Sequence, residues 1–440
     1  MNTKNSIYKS ILTLAIPVII SQVGQVLVGL VDTLMVGQLG AVPLAGVSFA
    51  NAIFMTFVVA GMGFAMGLTP LVSRAAVRSN DERVRSLFKN SFVANTLLGV
   101  GFVAILALLI FLMPYMGQDP EVLEIAVPYT WLMLLSILPN MWMYTIRQFL
   151  EGLGNTFWAM VATISSNVIN VGLNFVFIYG LCGMPEMGAI GVGVATLVSR
   201  VLMTIFMVLV MWIHRDYRGY LKGIMAVRVL RFRLLRLWRM GYPIALQLGI
   251  ECGSFGAIAV AIGTFGAVSL AGHQIAVNMP TTAFMVVTGV ANATMVLVAR
   301  NYEMRLYAEV RRILSASLRI VTVFMALTAV LFLVFAMDIA SLFSPDVAVQ
   351  EVASYLLIFA AVFQLSDGIQ GVTLGALRGL LDVKKTMTYT FFSYIVVGIP
   401  VAYLCGFVFG MGAGGIWLGL VSALTLLAVL YIRRFRKLLR

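Results

Sequence analysis

Three carboxylic acids sit where acids are rare. Of seventeen aspartates and glutamates, all but Asp32, Glu251 and Asp367 fall in or beside short connections between long apolar runs; these three lie inside the runs. A charge at bilayer depth costs about 2.5–3.5 kcal/mol on insertion scales, so such a group faces a cavity, binds a cation or holds a proton. Asn167, Asn170 and Asn174 recur at spacings of three and four, which puts them on one helical face. Thr196 lies in the next apolar run. Asp32 with amide and hydroxyl oxygens makes a hard-oxygen site of one negative charge, suited to a monovalent cation or a proton. The competing reading is interhelical hydrogen bonding by the asparagines, about 0.6 kcal/mol each. In the second half, Gln247 and Glu251 are four apart, and Phe363, Gln364, Asp367 and Gln370 group on one side of a later run. Gln274, Asn278, Thr281 and Thr282 lie on the run between. Two carboxylates sharing a dry site repel, so one keeps a proton or a cation sits between them. Proton and cation then compete for one pair of groups, which is the chemistry of exchange.

The elements that must position these groups are membrane spans. The 440 residues are 61% hydrophobic and 11% charged, whereas a soluble domain is close to one-quarter charged. Twelve apolar stretches, from 11–36 to 413–432, are each close to the 20 or so residues that cross a bilayer. The first, from Ile11 to Val36, reads as a spanning helix rather than a cleavable leader, because it is too long and lacks a small-residue cleavage site. Lysines and arginines crowd into alternate connections, while the opposite ones carry Asp119, Glu121, Glu124, Glu186, Asp338, Asp346 and Glu351. The positive-inside rule makes both termini cytoplasmic. The chain also repeats itself: LGAVPLAG at 39–46 returns as FGAVSLAG at 265–272, and an offset of 226 joins Pro17 to Pro243, Gly63 to Gly289 and Arg74 to Arg300. Six spans per repeat give both halves the same orientation. The expected fold is an all-α integral membrane protein of twelve helices in two six-helix repeats around a central cleft. Residues 1–213 form an N-terminal lobe, 214–240 a basic amphipathic linker on the cytoplasmic leaflet, and 241–440 a C-terminal lobe. The polar sites are not duplicated: Asp32, Glu251 and Asp367 align with Ile258, Gln25 and about Asn140, so the halves do different jobs.

Several classes are excluded. The net charge of +13 lies in the connections between spans, which favours anionic lipid over nucleic acid. Cys182, Cys252 and Cys405 have neither disulfide-framework nor metal-site spacing. No HExxH pair, GxSxG elbow or Walker loop occurs, so no catalytic residues and no cofactor are assigned, and neither an enzyme nor an ATP-driven pump is expected. His273 and His214 read as interfacial, at an outer and an inner helix end. Arg200, in the middle of a span, reads as an internal salt bridge or a snorkelling side chain. The 26 methionines suit helix packing or an adaptable apolar cavity.

The stretches GLVDTLMVGQLG (29–40), NVINVGLNFVFIYG (167–180), GAIGVGVAT (188–196), GYPIALQLGIE (241–251), AGHQIAVN (271–278) and FQLSDGIQGVTLGALRG (363–379) together resemble the multidrug and toxic compound extrusion (MATE) family, in its NorM-type branch. The likeness spans the whole chain. It implies a secondary antiporter in a bacterial inner membrane. Such a carrier, a monomer among membrane lipids, exports cationic and amphipathic drugs by alternating access in exchange for sodium or protons. The resemblance makes Asp32, Asn170, Asn174 and Thr196 the N-lobe cation site and Glu251 with Asp367 the C-lobe cation or proton site, with Na+ at either. Gln247, Gln274, Asn278, Phe363, Gln364 and Gln370 are expected to line the cleft. One departure is Phe363, where the NorM branch often has a tyrosine; a hydroxyl ligand is lost. Another is Asn174, where other branches often place a second aspartate; this favours the NorM-type reading. The alternative is a flippase for a lipid-linked precursor, which would need several intramembrane cations, whereas only Arg200 is available.

Overall fold

The computed structural model describes residues 3–222 and 228–439. Twelve helices are long and apolar enough to cross a membrane, and no strand occurs among the described residues. Spans 1 to 6 are Ser6–Gly37, Ala41–Val77, Asp81–Tyr115, Pro120–Gly152, Phe157–Tyr179 and Gly188–Ile213. Spans 7 to 12 are Arg231–Gly263, Ala267–Glu303, Tyr307–Val334, Val347–Gly379, Val383–Val408 and Gly412–Leu438. Their ends follow local chemistry. The Asn80 side chain accepts from the Arg83 N–H at 2.8 Å to start span 3. Asp119 accepts from the Glu121 N–H at 3.0 Å to start span 4, with Pro120 in the first turn.

The duplication is visible in the backbone. Gly40 and Gly266, 226 positions apart, precede spans 2 and 8 with φ of 122° and 105°. Ser79 and Arg305 hold φ of 49° and 62°, and Gly154 and Leu381 hold 81° and 67°. Left-handed φ is uncommon for a residue with a Cβ. Its recurrence at matched turns is a property of the duplicated path, kept even where glycine has become leucine.

By contacts the chain forms two compact units. The first is Ile20–Ala245, and the second joins Met1–Ile19 to Leu246–Arg440. The boundary falls inside spans 1 and 7 and not in the connection between residues 213 and 241. In the second unit, Ile11, Leu14 and Ala15 share a core with Ile258, Val287 and Val290. A Cβ on Gly289 would come 2.9 Å from the Ala15 carbonyl oxygen, so only glycine admits that approach. In the first unit, the start of span 7 does the equivalent: Gly241 lies against Gly67, and Trp238 meets Phe64 edge-on at 4.9 Å.

The linker differs from the expected single amphipathic helix. A short helix covers Arg215–Lys222, and span 7 already begins at Arg231. The amphipathic stretch 231–240 is therefore the first turns of a span; its middle part, 223–227, lies outside the described residues. The Leu230 N–H donates to Asn90 at 2.9 Å, and Asn155 donates to the Tyr217 hydroxyl at 2.6 Å, so both ends are pinned to the first unit.

Span 11 is not a uniform α-helix. Phe392–Gly398 and Leu404–Val408 are π-helical, separated by five α-helical residues, Ile399–Tyr403. Pro400, whose missing N–H breaks the usual ladder, lies between the two wide stretches.

Candidate cation sites

In the first unit, the asparagine face of span 5 meets spans 1 and 6. Asn174 Nδ2 donates to Asp32 Oδ1 at 2.5 Å, and also to Asn170 Oδ1 at 3.4 Å. Asn170 Nδ2 in turn donates to Thr196 Oγ1 at 3.5 Å. The four residues thus form one chain from span 1 through span 5 to span 6. Asn174 is 0% exposed, and its remaining acceptor, Oδ1, is buried with no hydrogen-bond partner. An orphaned buried oxygen costs about 1–3 kcal/mol. Beside a carboxylate it is the donor set of a hard monovalent cation. Gly191 on span 6 holds the spans close, since a Cβ there would lie 2.7 Å from the Phe177 carbonyl oxygen on span 5.

Arg200, one turn beyond Thr196, neither snorkels nor forms an ion pair among the described residues. Its Nη1 donates to Ser136 Oγ at 2.7 Å, and the guanidinium lies 4.7 Å from the centre of the Phe54 ring. Ser136 and Phe54 were not singled out in the sequence; a hydroxyl and a phenyl ring in apolar helices carry too little signal alone.

In the second unit, Glu251 on span 7 and Asp367 on span 10 carry the two carboxylates. Each accepts from its own glutamine: Gln247 Nε2 donates to Glu251 Oε1 at 3.2 Å, and Gln370 Nε2 to Asp367 Oδ1 at 3.0 Å. The Oε1 atoms of Gln364 and Gln370 are buried without partners, and the Gln364 amide donates to Thr328. Asp367 therefore has orphaned amide oxygen for neighbours, as Asp32 does. No group of three histidine, cysteine or acidic side chains able to hold a metal occurs among the described residues. The donors available to a cation here are carboxylate, amide and hydroxyl oxygens, a set that suits hard ions.

The expected cleft-lining set divides. Gln274 and Asn278 are exposed. Gln247, Phe363, Gln364 and Gln370 are buried within the unit at 0–2% exposure and line no open surface. The Phe363 ring packs 5.6 Å from Trp417, whose indole N–H donates to His273 Nδ1 at 3.2 Å. His273 is thus a buried hydrogen-bond acceptor and not an interfacial residue. Gln247 has further partners that sequence reading missed. Its Nε2 also donates to the Tyr431 hydroxyl at 3.1 Å, and its Oε1 accepts from Arg378 Nη2 at 3.3 Å. Tyr431 offered a signal, a lone hydroxyl in an apolar span; Arg378 looked like one more basic residue at a span end.

A family model described as MatE matches residues 17–176 and 243–404, one block in each half. The chain belongs to the MatE family. Similar curated proteins include Multidrug resistance protein NorM of Photobacterium profundum, 31% identical over 97% of this chain and 95% of that protein. Another is Multidrug resistance protein MdtK of Pectobacterium atrosepticum, 32% identical over 97% and 94%. Among solved structures, an outward-facing MATE transporter of the MOP superfamily superposes with a TM-score of 0.89 at 22% identity, covering 98% of this chain and 96% of that one. A MATE in a straight conformation superposes with a TM-score of 0.90 at 22% identity and the same coverage. This MatE chain is accordingly a multi-pass membrane protein with the fold of those transporters.

Proposed function

We propose that the chain is a secondary active multidrug efflux antiporter, exporting cationic and amphipathic compounds in exchange for sodium ions, protons or both. The observation that carries this reading is the orphaned, buried Oδ1 of Asn174, one hydrogen bond from the Asp32 carboxylate, in a protein of the MatE family. The relatives named as multidrug resistance proteins supply the cargo class. Asp32, Asn170, Asn174 and Thr196 hold one cation; Glu251 and Asp367 hold a second cation or a proton. Inward movement of one charge releases about 2.3 kcal/mol per 100 mV, which drives the drug outward. Cation and drug weaken each other's binding, and by linkage the effect is mutual. Both termini are cytoplasmic, and the protein works as a monomer in a bacterial inner membrane.

The test uses proteoliposomes loaded with a cationic dye, with sodium and proton gradients imposed in turn. Gradient-driven dye movement that is lost in Asp32→Asn, Glu251→Gln and Asp367→Asn is expected. Folded protein that moves no dye under either gradient refutes the reading.

A further inference from the structure

Gln247 bridges two opposite charges, Glu251 and Arg378. Its Nε2 reaches Glu251 at 3.2 Å and its Oε1 takes Arg378 Nη2 at 3.3 Å. The same Nε2 is fixed by Tyr431, whose hydroxyl also lies 2.7 Å from Thr390 Oγ1 and donates to the Thr386 carbonyl at 3.2 Å. The amide therefore cannot turn over without breaking bonds at both ends. Arg378 is 6% exposed although it sits in the last turn of span 10. Its guanidinium reaches Gln247 on span 7.

The duplication shows that this placement is particular to the second half. The position matching Arg378, 227 residues earlier, is Glu151, which is paired with Arg147 on its own helix at 2.8 Å. The position matching Arg147 is Leu374. The second half has lost that same-helix pair, and its charge, now positive, has turned toward span 7.

We propose that Arg378 is a built-in competitor for the sodium ion at Glu251, held within range by Gln247. This rests on the antiporter reading above. When the ion leaves, the guanidinium keeps the carboxylate from being a lone buried charge. When sodium arrives, it binds against that positive charge. Arginine stays protonated in proteins, so the competitor is permanent. For two unit charges bridged by one amide, a separation on the order of 8 Å at an effective dielectric of about 20 corresponds to an affinity difference of about thirtyfold.

The experiment measures the external sodium concentration that half-saturates dye movement in the same proteoliposomes. Arg378→Gln and Arg378→Met are expected to lower it ten- to thirtyfold, while Arg378→Lys, which keeps the charge, stays within about threefold of the wild type. Gln247→Met removes the bridging amide, one contact of Arg378, and leaves both charges; it is expected to lower the value in the same direction, and it reads the same interaction if the neutral arginine variants do not fold. An unchanged or raised half-saturation in these variants, with sodium-driven movement intact, overturns the inference alone. Movement driven only by protons also overturns it and leaves the antiporter standing. Absence of movement under any gradient overturns both.

Discussion

Replacing Gly191 by alanine should damage the first-unit cation site without touching any of its ligands. The new Cβ would stand 2.7 Å from the Phe177 carbonyl oxygen and carbon and 3.0 Å from the Ile178 nitrogen, all backbone atoms that cannot rotate away. Ordinary contact begins near 3.4 Å, so spans 5 and 6 must part by about 0.7 Å at this point. Thr196 lies five residues further along the same helix. A rigid separation of that size lengthens the 3.5 Å bond between Asn170 and Thr196 to about 4.2 Å, beyond hydrogen-bonding range. Overpacking of this kind costs about 1–3 kcal/mol. Gly191→Ala is therefore expected to lower the melting temperature in detergent by a few degrees and to weaken the cation dependence of dye movement at least as much as Thr196→Ala does. Gly172→Ala is the control, since a Cβ there meets nothing within 4 Å. An alanine at 191 that leaves both stability and cation dependence at wild-type values refutes the claim that close approach of these helices builds the site.

Further outcomes follow from other contacts. Asn174→Leu removes a hydrogen bond to a charged group, about 1.5–3 kcal/mol, and should raise the cation concentration needed for exchange at least tenfold while membrane insertion is unchanged. Arg147→Met removes the same-helix partner of the buried Glu151 carboxylate and should lower the melting temperature, with the double variant Arg147→Met, Glu151→Leu recovering part of the loss. His273→Ala leaves the Trp417 indole N–H without its acceptor, which should appear as altered tryptophan fluorescence and about 1–3 kcal/mol of lost stability. On the short helix Arg215–Lys222, burial pushes the Tyr217 and Tyr220 phenols above their usual 10.0, against the bond from Asn155 for Tyr217 and helped by Asp81 for Tyr220. A raised folded value means a contribution that is fully present below pH 10 and lost as pH rises past it. The helix should loosen only in alkali, and ultraviolet titration of Tyr217→Phe and Tyr220→Phe should remove late-ionising phenols.

The periodic features were legible in sequence. Twelve apolar runs, a repeat at an offset of 226 and three asparagines on one face are statements about spacing, and spacing is what a helix preserves. The structure brings Asp32, Asn174, Asn170 and Thr196 into one chain, although spacing alone placed only the asparagines together; Asp32 and Thr196 come from other spans. Long side chains and packing direction were not legible. Arg378 counted as a cytoplasmic charge because sequence gives its Cα and not the several ångströms its stem can travel. Phe363 and Gln247 looked like cleft-lining residues because a helical face does not say which neighbour it meets. The start of span 7 was read as a surface linker because basic residues alternate there with apolar ones, and an amphipathic helix on a membrane has the same pattern as the first turns of a helix that enters it.

The two wide stretches of span 11 bear on how this gene has been able to change. One residue added to an α-helix turns everything after it by about 100°, which would swing a buried polar face into lipid. A π turn absorbs the addition locally and leaves both flanks in phase. Thr386 and Thr390, which meet Tyr431, lie before the first wide stretch, and Gly406, which meets Ile416, lies within the second. Span 11 can therefore gain or lose single residues over evolutionary time while both contacts hold. Insertions and deletions among related sequences should concentrate at 392–398 and 404–408, inside a spanning helix, where length differences are ordinarily not tolerated.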